Sequence, residues 1–72
     1  MRESLESKGW KMYYECNTCS GVRQYYSHTE KPGWEVRVRV RSNTFSLFLN
    51  NHKVSGPHYG YMLEEQLQKN GI

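Results

Sequence analysis

The clearest hydrophobic pattern in the chain is a strict alternation from Trp34 to Arg41. Apolar side chains occupy every second position: Trp34, Val36, Val38 and Val40. The positions between them are charged: Glu35, Arg37, Arg39 and Arg41. Because successive side chains of a strand point to opposite faces, this pattern predicts a strand with an apolar face and a charged face. We expect the valines to lie in the core and the arginines to form a row with a spacing of about 7 Å.

Weaker alternation predicts further strands on both sides of this one. The candidates are Trp10 to Cys16, Val22 to His28, Thr44 to Leu49 and a short last strand, His52 to Ser55. Turn-forming residues separate them, notably Lys31-Pro32-Gly33 and Asn50-Asn51. In the first strand we expect Met12, Tyr14 and Cys16 to share a face.

Two helices complete the prediction. Residues 3 to 8 are expected to form a short helix that Gly9 ends. Gly56-Pro57 is expected to break the last strand, and a second helix should run from Pro57 to Lys69. Its apolar stripe would consist of Tyr59, Met62, Leu63 and Leu67. The fold class is therefore α+β: an antiparallel sheet of about four to five strands, with a short N-terminal helix and a C-terminal helix packed on one face.

Composition narrows the class of partner. The chain has 72 residues, which we interpret as a single domain, 1–72. Its formal net charge is +3, which favours anionic partners without naming one. No apolar run approaches a membrane span, and the charged start does not look like a signal peptide, so we expect a cytoplasmic protein with no membrane partner.

The arginine row suggests binding to nucleic acid, with RNA favoured. Guanidinium groups form paired hydrogen bonds to phosphate oxygens, and aromatic side chains on a sheet can stack on bases. The candidate binding residues are Arg23, Tyr25, Arg37, Arg39, Arg41 and Lys53, with Tyr13 and Phe48 as further stacking candidates. The alternatives are a solvated face that Glu15 and Glu35 neutralise, or contact with an acidic protein.

Cys16 and Cys19 have the spacing of a zinc knuckle, and Gly21 follows them. Structural zinc takes four ligands, and a second Cys-x-x-Cys is absent. Only histidines could complete the set, so the expected cofactor is none, with zinc at Cys16 and Cys19 as an alternative. Two free thiols, or a redox role, are the other interpretations. The chain contains no aspartate, which makes a magnesium-dependent nuclease site improbable.

Several short matches run along the chain: Leu5 with Lys8-Gly9-Trp10, the stretch Gly21 to Tyr26 followed by His28, Pro32-Gly33 with Val36 and Val38, and Leu63 and Leu67 before Gly71-Ile72. On these the chain resembles the HicA-type mRNA interferase toxins, whose fold is like that of the double-stranded RNA-binding domain. The resemblance implies that fold and an RNA-facing surface. The family's catalytic histidine follows Gly-Ser, whereas this chain has Gly21-Val22-Arg23. If the protein is a ribonuclease, His28 is the candidate general base.

Three hypotheses follow. The favoured one is a non-catalytic domain that binds RNA or another nucleic acid through the arginine-lined sheet face. The second is a protein-interaction module, zinc-stabilised or a homodimer. The third is a HicA-like ribonuclease toxin that uses His28.

Overall fold

The computed structural model describes residues 1–72. The elements in chain order are α1 (Arg2–Ser7), β1 (Lys11–Thr18), β2 (Gly21–Ser27), β3 (Trp34–Arg39), β4 (Thr44–Leu49), β5 (His52–Tyr59), a 3₁₀ turn (Gly60–Met62) and α2 (Leu63–Lys69). The five strands form one antiparallel sheet in the order β1-β2-β3-β4-β5. The predicted α+β class is confirmed. Neither helix is long and apolar enough to cross a membrane.

Both helices pack on one face of the sheet, which we call the covered face. The buried apolar cluster is formed by side chains of both helices, of β2, β3 and β4, and of Trp10, which directly precedes β1. Its members are Leu5, Trp10, Tyr26, Val36, Val38, Phe45, Leu47, Leu63 and Leu67. Val36 and Val38 are buried as the alternation predicts. Val40 is 44% exposed, because β3 ends at Arg39 and the chain turns away before it reaches the core.

A bulge in β1 changes which side chains share a face. Met12 pairs with Tyr26, but Tyr14 pairs with Tyr25, so Tyr13 is the extra residue. A bulge places two residues opposite one and reverses the alternation beyond it. Tyr14 and Cys16 therefore do not share a face with Met12, and this part of the prediction is wrong.

The last strand is longer than predicted. β5 continues through Gly56 and Pro57 to Tyr59, and α2 begins only at Leu63. The chain tolerates proline here because β5 is an edge strand, where one side of the backbone has no partner. Tyr59 consequently ends a strand and is 62% exposed, instead of lying on an apolar helix stripe.

Candidate nucleic-acid interface

The second face of the sheet carries no helix, and we call it the open face. In an antiparallel sheet, residues directly opposite each other share a face. The register therefore gives one row across all five strands: Cys16, Arg23, Arg39, Thr44 and Tyr59. The neighbouring row contains Tyr14, Tyr25, Arg37 and Ser46. The open face thus combines arginines with aromatic rings.

Arg37 is held between two aromatic rings. Its guanidinium carbon lies 3.9 Å from the centroid of Phe48 and 5.0 Å from that of Tyr25. Its Nε donates to Glu35 Oε1 at 3.0 Å, and its Nη2 donates to Asn51 Oδ1 at 3.3 Å. Because most of its bonding capacity is used within the protein, Arg37 forms a wall of the site more readily than a free phosphate ligand.

Arg23 and Arg39 have the opposite environment. They face each other directly across β2 and β3, and both are exposed. The ion pairs of the protein are Arg2–Glu6, Lys8–Glu64 and Arg37–Glu35, so neither Arg23 nor Arg39 has a carboxylate within 4.0 Å. Like charges directly opposite each other destabilise an antiparallel pair. An anion between the two guanidinium groups would relieve this repulsion.

Two adjoining hollows bring the predicted binding residues together. The first, of about 130 Å³, is lined by Arg23, Tyr25, Arg37, Arg39 and Lys53 among others. The second, broader and shallower, is lined by Arg23, Arg39 and Arg41 with the hydroxyl-bearing Ser20 and Ser42. No carboxylate lines either hollow. The first hollow is smaller than the pockets of about 300 Å³ or more that hold drug-sized ligands.

Of the two glutamates expected to neutralise this face, Glu35 neutralises only Arg37, and Glu15 is turned away from it. The bulge turns Glu15 toward the covered face, where it accepts a hydrogen bond from Gln24 Nε2 at 2.8 Å. Glu35 pairs with Arg37. Partial burial of the phenol, and then the adjacent Glu35 carboxylate, raise the pKa of Tyr13 to about 12, so Tyr13 stays a neutral donor beside that carboxylate. Neither acid reaches Arg23 or Arg39.

His28 lies apart from the open face. Its Nδ1 accepts the backbone N–H of Glu30 at 3.1 Å, and its Nε2 lies 2.9 Å from the carbonyl oxygen of Lys8, to which it donates. Its ring packs edge-on against Trp10, with centroids 5.2 Å apart. A Cβ on Gly9 would come within 2.6 Å of Nε2, so only glycine permits this approach. Both ring nitrogens therefore take part in hydrogen bonds within the protein, and the role of His28 as a general base stays a prediction.

The two cysteines lie near the hairpin that joins β1 and β2. Cys16 is half-buried opposite Arg23, and Cys19 is exposed in the turn. No group of three or more His, Cys, Asp or Glu side chains is close enough together to hold a metal ion. Structural zinc takes four ligands, so zinc at Cys16 and Cys19 would need further ligands and stays a prediction.

Sequence reasoning missed two aromatic residues at the end of the open face. Tyr59 and Tyr61 are 62% and 84% exposed, and their rings stack with centroids 5.9 Å apart and planes 9° apart. The helical interpretation of residues 57 to 69 concealed them. The available signal was the spacing Tyr59-Gly60-Tyr61, in which a glycine separates two tyrosines.

Comparison with models of protein families, with curated proteins and with solved structures finds no match to this chain.

Proposed function

We propose that this protein binds nucleic acid, with RNA the favoured form, through the open face and without catalysis. One observation carries the proposal. Arg23 and Arg39 oppose each other without a carboxylate partner, in two hollows that contain five cationic side chains and no acidic one. Half of the ten lysines and arginines of the chain are gathered there.

A face that only kept the protein soluble would gain from mixed charges, because opposite charges across strands stabilise a sheet and like charges weaken it. Phosphates would supply the missing negative charge, since guanidinium groups bind phosphate oxygens in a fork-like geometry. Arg37 contributes differently, as a fixed wall between Tyr25 and Phe48.

The test is fluorescence anisotropy of a labelled RNA strand with the wild-type protein and with Arg23→Gln/Arg39→Gln. The matched control is Arg2→Gln/Lys69→Gln, which removes the same charge from the two helices. Four cations without ion-pair partners line the hollows: Arg23, Arg39, Arg41 and Lys53. For single strands, a plot of the logarithm of the binding constant against the logarithm of the salt concentration has a slope of about −0.7 for each neutralised phosphate. We therefore expect a slope of about −3 for the wild type, and about −1.5 for the open-face variant.

The control should keep the wild-type slope. Absence of binding at about 50 mM salt, where phosphate contacts are strong, would contradict the proposal. Equal losses in the two variants would also contradict it, because binding would then follow total charge instead of the open face.

A further inference from the structure

The stacked pair Tyr59 and Tyr61 leaves large aromatic surfaces in water. They are the two most exposed of the large hydrophobic side chains of the protein. Exposed apolar surface beside polar groups commonly marks a binding site. The two rings lie nearly parallel, and the protein covers only a small part of Tyr61.

The pair is in line with the opposed arginines. Tyr59 is opposite Thr44, Thr44 is opposite Arg39, and these residues share the open face. Adjacent strands lie about 4.8 Å apart, so the backbone of Tyr59 stands about 10 Å from that of Arg39. Thr44 lines the hollow between them.

The backbone between the two tyrosines is anchored to the β3–β4 turn and leaves the rings uncovered. The N–H of Gly60 donates to the carbonyl oxygen of Asn43 at 2.8 Å. A Cβ on Gly60 would come within 2.8 Å of the Asn43 side chain, so glycine lets the segment lie against the β3–β4 turn. A platform that is already in place loses little conformational entropy when a ligand stacks on it.

We infer that the protein selects single-stranded nucleic acid, with an unpaired base stacked on the Tyr59–Tyr61 platform and the adjoining phosphates on Arg39 and Arg23. This inference rests on the proposed function. A base inside a duplex is stacked between its neighbours and cannot offer a face to a tyrosine, whereas single strands bind to aromatic platforms in this way.

The experiment compares three probes with wild-type protein, Tyr59→Ala/Tyr61→Ala and Tyr61→Phe. The probes are an RNA strand of about 12 nucleotides, the same strand with abasic positions, and the duplex of that strand. This length is enough to span a small binding face. Stacking contributes enough per base that the double variant should bind the intact strand at least about 10-fold more weakly. Tyr61→Phe should bind like the wild type, because it keeps the ring. The abasic strand should bind wild type and double variant equally.

The inference is overturned if the double variant binds the intact strand as tightly as the wild type. If salt-dependent binding that requires Arg23 and Arg39 persists in that case, the proposed function stands alone. If no probe binds any protein, the proposed function fails as well. A wild-type dimer in sedimentation that Tyr61→Ala dissociates would also overturn the inference, since the platform would then be a contact between copies. Tyr61 is 84% exposed, so this single variant tests the platform even if the double variant does not fold.

Discussion

Arg37 and Arg39 lie on the same side of β3, yet the protein surrounds them differently. The guanidinium of Arg37 lies between two rings and binds a carboxylate and an amide. Arg39 lies opposite the like charge of Arg23 on one side and the uncharged Thr44 on the other, with no carboxylate within 4.0 Å. One arginine therefore stabilises the free protein, and the other weakens it in a way that an anionic ligand would reverse.

The same substitution at these two positions should have opposite effects on stability. Arg37→Gln should lower the free energy of unfolding by about 1–2 kcal/mol, the range for a partly desolvated cation–π contact. Arg39→Gln should raise it by roughly 0.2–1 kcal/mol, because the repulsion from Arg23 disappears. Urea denaturation at about 20 mM and about 500 mM salt measures both, and the gain at position 39 should shrink as salt screens the repulsion. Equal losses at both positions would show that Arg39 is also held by contacts within the protein.

Tyr13 provides a pH-dependent contribution to stability. Its pKa is about 12 in the folded protein, against an ordinary value of 10.0. The unfolded chain therefore releases this proton first, and the free energy of unfolding falls as the pH rises from about 10 to about 12. Below about pH 10, the full contribution of Tyr13 to the free energy of unfolding is present.

Tyr13→Phe should make this alkaline loss of stability shallower, because phenylalanine has no proton to release. Denaturation between pH 9 and 12 measures the effect, and tyrosinate absorbance of the folded protein should show one fewer late-titrating group. Tyr61→Phe is the control, since Tyr61 is 84% exposed and follows β5, at the opposite edge of the sheet from Tyr13. An unchanged slope in Tyr13→Phe would mean that burial and Glu35 together do not raise the pKa of this phenol.

At the scale of the elements, β5 depends on one glycine. Gly56 has a φ of +108°, and a Cβ there would lie 2.9 Å from the carbonyl oxygen of Phe45 and from the Cα of Ser46. Both atoms belong to the backbone of β4 and cannot move aside. Only glycine permits β5 to lie this close to β4 where the register between the two strands shifts.

Gly56→Ala should therefore destabilise the protein by about 3 kcal/mol or more, since backbone strain and steric overlap act together. Gly71→Ala is the matched control. Gly71 also has a positive φ, but a Cβ there has no atom within 4 Å, so the cost should be only about 1 kcal/mol. Thermal denaturation of the two variants measures both losses of stability. Equal losses would show that backbone strain, without steric overlap, accounts for the effect at position 56.

Whether a strand lies at the centre or at an edge of the sheet explains how well its pattern could be predicted from the sequence. Alternation is reliable in β3, which pairs on both sides and whose valines are fixed by the core. It fails in β1 and β5, the edges, where a bulge costs fewer ladder hydrogen bonds. Tyr13 and Tyr14 are both aromatic, so nothing in the sequence distinguishes the bulged residue. Likewise, Gly56-Pro57 gives the same signal at the end of a strand as within an edge strand.

At the scale of the whole molecule, the sequence predicts which residues carry positive charge but not which of them are neutralised. Alternation within single strands places Arg23 with Tyr25 and Arg37 with Arg39, but the register between β2 and β3 is needed to put both pairs on the same face. The pairing of Glu35 with Arg37, and the turning of Glu15 away from this face, depend on register and on the bulge. The end of the site at Tyr59 could not be predicted, because it required β5 to pass through a proline.

The alternation in β3 has a consequence for misfolding. A slip of one residue in its pairing would move the arginines into the core and the valines into water, and burying an unpaired charge is very costly. The same guanidinium groups prevent copies of this valine-rich segment from stacking into a dry zipper, the arrangement that stabilises amyloid. The side chains that we propose to bind phosphates thus also oppose aggregation of the chain while it folds.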